Sequence, residues 1–191
     1  MFRNLFKRPS DDRVAGTRIL IACLGSKFSE LMAADSSCYA RFYKTPKTLS
    51  IESGEELLQA IEGGFDIVHL FCDVTPNGNL VDSREKETPG SLVLERCAKS
   101  DVKVLWLASD NSSAAYMNGF KGGRPINLVL TLERRESKFA TFLEQLLNRM
   151  SAGQTMPTAW VSLASQTSTD PRHQNLPACI FSAGRAGVRL Q

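Results

Sequence analysis

Short, nearly continuous apolar runs recur along this chain, each closed by turn residues and most followed by a stretch with helical spacing. Residues 18–24 (RILIACL) end in Gly25-Ser26, the form of a strand buried on both faces of a parallel sheet. Phe28, Leu31 and Met32 then fall at helical steps and predict a helix, with Ser26 as its cap. Residues 48–51 predict a second strand. Ser53-Gly-Glu-Glu56 has the form of a capping box, Leu57, Leu58 and Ile61 supply an apolar face, and Gly63-Gly64 stop the helix. Residues 65–72 (FDIVHLFC), 102–108 (VKVLWLA) and 126–132 (INLVLTL) predict three more strands. A helix beginning at Ser91 separates the third from the fourth, and a short helix near residues 114–118 follows the fourth. The longest predicted helix covers residues 133–150, with Phe139, Phe142, Leu143, Leu146, Leu147 and Met150 on one stripe. Pro157 suits the first turn of another. A loop is expected over residues 165–177, then terminal strands at 178–182 and 187–190. Strand and helix alternate throughout, which predicts an α/β fold: a three-layer sandwich with a mostly parallel central sheet and helices on both faces. Residues 1–14 read as a flexible N-terminal segment and residues 15–191 as a single domain.

Composition narrows the function classes. A net charge of +3 without a dense basic stripe argues against a nucleic-acid partner. No apolar run approaches the roughly 20 residues a membrane helix requires. The five cysteines, Cys23, Cys38, Cys72, Cys97 and Cys179, are widely spaced, with no CxxC pair and no Cys/His ligand spacing. The N-terminal MFRNLFKRPSDDR carries positive charge but lacks the apolar core of a secretory signal; Phe2, Leu5 and Phe6 give it at most a short amphipathic turn. A reduced, cytoplasmic, soluble chain with no cofactor and no membrane partner is the resulting expectation.

Ligands of open parallel sheets bind outside the carboxyl ends of the strands, and two such ends carry polar chemistry here. One is Cys72-Asp73 and the other is Ser109-Asp110-Asn111. Neither a G-x-x-x-x-G-K-[ST] loop nor a G-x-G-x-x-G turn is present, so nucleotide motifs do not fit. Residues 73–90, polar and rich in Pro and Gly, form the kind of long connection that often carries function.

The order of these segments resembles the CHAT group of caspase-like cysteine peptidases. Residues 65–70 (FDIVHL) are similar to the strand that leads to that family's His-Gly motif, and residues 91–108 to the helix and strand that deliver its catalytic Cys. Residues 126–160 resemble its later strand, long helix, glycine stop and following helix, and residues 177–190 its closing strand and glycine turn. The resemblance covers roughly residues 15–190 and implies a caspase-like sandwich. It also places the family's catalytic His at Asp73, four residues beyond His69, and its Cys at Asp110. An Asp pair supplies neither a thiolate nor a base that titrates near neutrality, so no peptidase dyad is expected. His69 is expected to support its strand end, and Cys72 to face away from Asp73.

The leading expectation is a catalytically inactive caspase-like protein acting as a binding or regulatory subunit. Its partner would be another protein, such as an active peptidase or a repeat or sensor subunit, or a second copy of the chain. Many CHAT proteins belong to prokaryotic stress or antiviral systems, and the analogy extends to such a role here. The groove would be formed by His69, Cys72, Asp73, Ser109, Asp110 and Asn111. A second reading is a metal-dependent hydrolase with Asp73 and Asp110 on Mg²⁺, supported by Asp82 and Glu85. Relocated Cys72–His173 or Ser109–His69 pairs, and a phospho-acceptor domain, rank lower; the acid pair expected of the last after the first strand is replaced by Cys23-Leu-Gly-Ser26.

Overall fold

A computed structural model describes residues 13–14, 17–43, 46–109, 128–133, 139–167, 179–183 and 189–190, with side chains described for 17–43, 46–109 and 139–163. A six-stranded sheet forms the middle layer. It contains β2 (Ile19–Leu24), β3 (Lys47–Ile51), β4 (Ile67–Phe71), β8 (Val104–Ser109), β9 (Leu128–Glu133) and β10 (Cys179–Ala183). Their spatial order is β10-β9-β8-β4-β2-β3, and every pairing is parallel except that of β10 with β9. The runs read as strands are apolar nearly throughout because β2, β4 and β8 are buried on both faces.

The two faces have separate cores. Ile19, Ile21 and Cys23 of β2, Ile67 and Phe71 of β4, and Val104, Trp106 and Ala108 of β8 face α1 (Ser29–Ala40), α4 (Phe139–Ser151) and α5 (Met156–Thr167). The alternate residues, among them Leu20, Ala22, Val68, Leu70, Leu105 and Leu107, face α2 (Gly54–Ile61) and α3 (Gly90–Lys99). This period-two division of each strand makes the chain a three-layer α/β sandwich.

Helix starts differ in detail from the sequence expectation. Ser53 accepts a hydrogen bond from the Glu56 backbone N–H at 3.2 Å, as a capping box requires. The Glu56 carboxylate reaches back to the N–H of Glu52, one residue before the cap, instead of that of Ser53. Ser26 does not cap α1 through its side chain; α1 begins after Phe28 with no side-chain cap, and Ser26 contributes only a backbone carbonyl to the Ser29 N–H. Glu133, expected to open the long helix, instead ends β9, and the helix is described over Phe139–Ser151, with residues 134–138 outside the described residues; the helix from Met156 runs on to Thr167, two residues past the expected start of the loop.

The connection after β4 is itself ordered. β5 (Asp73–Val74), β6 (Asn79–Val81) and β7 (Glu87–Pro89) form a small antiparallel sheet, which the Pro- and Gly-rich composition concealed. Val74 and Leu80 anchor it in the α2/α3 core. Arg13–Val14 (β1), at the end of the segment read as a flexible N-terminus, pairs in parallel with Arg189–Leu190 (β11). No helix among the described residues is long and apolar enough to cross a membrane.

Candidate functional site

The carboxyl ends of β2 and β4 lie side by side, in parallel register with Cys23 opposite Phe71. Gly25 turns the chain out of β2 at φ +82°, a conformation that only a residue without Cβ adopts freely, and its N–H bonds the Ile51 carbonyl. Two residues on, Lys27 places Nζ 2.6 Å from Asp73 Oδ1, with the two side chains 51% and 39% exposed. At the rim, Ser83 in the turn between β6 and β7 donates to the Glu52 side chain at 2.8 Å. The Lys27, Glu52 and Ser83 side chains are exposed, and Asp73 is half-buried. The neighbouring strand end reaches Ser109, which is buried, and the Cys72 N–H bonds the Ala108 carbonyl.

Cys72 is fully buried among the residues facing α2 and α3, on the sheet face opposite His69. Burial raises its thiol well above the ordinary value, and the nearby Asp73 charge raises it further. It therefore stands as a small hydrophobe at neutral pH. Cys23 is likewise buried, and desolvation raises its thiol despite the Phe28 backbone hydrogen bond. Asp110, Asn111 and His173 lie outside the described residues, as do the short helix expected near residues 114–118 and the N-terminal amphipathic turn.

Asp82 and Glu85, named as supports for a metal site, have other work. Asp82 Oδ1 accepts the backbone N–H groups of Arg84 and Lys86, each at 2.9 Å, and so ties the turn between β6 and β7. Desolvation pushes its carboxyl up, but backbone hydrogen bonds from Lys86, Arg84 and Gly54, with the Lys86 charge, outweigh this and lower it. Glu85 occupies the left-handed position of that turn at φ 60°. Among the described residues no three His, Cys, Asp or Glu side chains gather as a metal site.

His69 is wholly buried in the middle of β4, as its place in an apolar strand implies. Its Nδ1 is 3.3 Å from Tyr39 Oη, and its Nε2 is 3.6 Å from Asp35 Oδ2; Asp35 and Tyr39 are also fully buried. The ring stacks on Phe71 at 4.7 Å and 12°, with Trp106 at 5.1 Å and the edge of Tyr39 at 5.9 Å. Desolvation, then the Asp35 charge, raises the Tyr39 phenol well above its ordinary range, so it keeps its proton. The sequence reading missed Asp35 and Tyr39. Their signal was spacing: Asp35 stands three residues after Met32 and four before Tyr39, on the buried stripe of α1.

A scan against protein-family models finds no match for this chain. A search of curated proteins finds none either.

Proposed function

We propose that this chain is a catalytically inactive caspase-like protein that works by binding another protein at the carboxyl ends of β2 and β4. The observation carrying this reading is the ion pair of Asp73 with Lys27. In the CHAT resemblance Asp73 holds the place of the general base, and here its carboxylate neutralises a lysine. Cys72, the nearest thiol in sequence, is sealed into the opposite face of the sheet from His69. A half-exposed charge pair beside an ordered small sheet suits recognition of an extended segment better than turnover. The partner is a peptidase or a repeat or sensor subunit, and by analogy the setting is a prokaryotic stress or antiviral system. Pairing of two copies through the sheet edge at β10 is the self-association this reading allows.

The test is affinity purification of the tagged full-length chain from its own cells, followed by the same experiment with Lys27→Glu and Asp73→Arg. A stoichiometric partner lost on either reversal is the expected result. Cleavage of any member of a peptide library by the purified chain, or labelling by a thiol-directed peptidase probe, would overturn it.

A further inference from the structure

We propose that β3, the strand at the edge of the sheet opposite β10, is a pairing surface for a second copy of this chain, joined antiparallel about Leu49. The Gly25 N–H bonds the Ile51 carbonyl, which fixes the sense of the β2–β3 ladder: Lys47, Leu49 and Ile51 turn their backbone groups toward β2. Thr48 and Ser50 therefore turn theirs outward. Both residues are exposed, and these outward N–H and C=O groups have no partner among the described residues. The edge closes on either side of them. Pro46 carries no N–H, and at Glu52 the N–H is taken by the Glu56 carboxylate at 3.0 Å and the carbonyl by the Ser83 hydroxyl at 3.1 Å.

What stays open is one short unit, and two such units satisfy each other. With Leu49 facing its own counterpart, Thr48 lies opposite Ser50 of the second copy and exchanges both N–H···O=C bonds with it. The two-fold axis repeats the exchange between Ser50 and the copy's Thr48. Neither residue is charged, so nothing repels across the axis, and β3 lacks the central charge with which unpaired edges are guarded. Charge also sets the direction. At the amino end, Lys47 places Nζ 5.9 Å from the centroid of the Phe65 ring, and no ion pair holds it among the described residues. The carboxyl end runs into exposed Glu52 and Glu56. Antiparallel pairing brings Lys47 beside the copy's Glu52 at both ends of the interface, whereas parallel pairing would set like charge against like. The proposal does not rest on the recognition reading at the ends of β2 and β4.

The test is sedimentation velocity of the full chain from about 1 µM to about 1 mM, the span suited to a small interface, with amide hydrogen exchange by NMR at both ends of the range. A concentration-dependent dimer is expected. The Thr48 and Ser50 amides should exchange freely in the dilute chain and at least about tenfold more slowly in the concentrated one, while Leu49, bonded to β2, stays protected throughout. Ser50→Pro removes an outward donor without touching the ladder to β2 and should weaken association by about tenfold or more. Lys47→Glu, which leaves the backbone unchanged, should weaken it a few-fold. A monomer across the whole range overturns the proposal. So does a dimer in which Thr48 and Ser50 keep their dilute exchange rates, or one that protects the β10 amides instead. The parent chain's exchange decides the matter by itself, so misfolding of Ser50→Pro would not rescue it.

Discussion

Thr88 of the small sheet stands against the Cα of Gly54, leaving no room for a side chain at the first turn of α2: a Cβ on Gly54 would overlap Thr88 Oγ1 and lie 2.9 Å from Thr88 Cβ. Gly54→Ala should therefore destabilise the fold by roughly 1–3 kcal/mol, the range for overpacking, although Ala is the better helix former. Urea unfolding measures it. Thr88→Gly in the same chain should recover much of the loss, so the double-mutant cycle should be strongly non-additive.

Trp106 is fully buried in the α1/α4/α5 core, with ring contacts to His69, Tyr39, Phe139 and Trp160. Trp106→Ala should cost ~3–5 kcal/mol, as for other large aromatic truncations. Exposed Val161, on the outer side of α5, is the control: its change to Ala should alter the urea midpoint little.

Burial pushes the Cys97 thiol up from its ordinary value near 9 to about 12, and it also raises Cys72. Iodoacetamide at pH 8 should leave both unmodified in the folded chain and alkylate them in urea. The folded-state value is raised, so the unfolded chain releases its proton first. Stability from Cys97 is complete below about pH 9 and declines as pH climbs toward 12. Cys97→Ala should flatten that alkaline decline in urea midpoints taken between pH 8 and 11, a window set by the two values above.

Lys27→Ala should change stability by only about 0–1 kcal/mol, because both partners of the Lys27–Asp73 pair are substantially exposed. Its effect should be on partner binding instead. A large stability loss without loss of binding would make the pair structural and remove the main support for the recognition reading.

The period-two and helical stripes made the sandwich legible: Ile19, Ile21 and Cys23 separate from Leu20, Ala22 and Leu24 as alternation in a two-sided strand demands. Capping by Ser53 was legible for the same local reason. The small sheet was hidden because its strands are two or three residues long, too short for alternation to register, and its turns dominate the composition. At the site, the sequence singled out Asp73 but not Lys27, since a contact over 46 residues depends on the order of strands in the sheet. Asp35 was overlooked for a related reason. A carboxylate on an apolar stripe signals something only once its partner on another element is known.

The pairing of Arg13–Val14 with Arg189–Leu190 has a mechanical consequence. The two strands run in the same direction, so residue 13 is entered from one end of the pair and residue 190 is left at the other. Tension applied through the two ends of the chain would load the hydrogen bonds between β1 and β11 in shear, sharing the force among them, instead of unzipping them one by one.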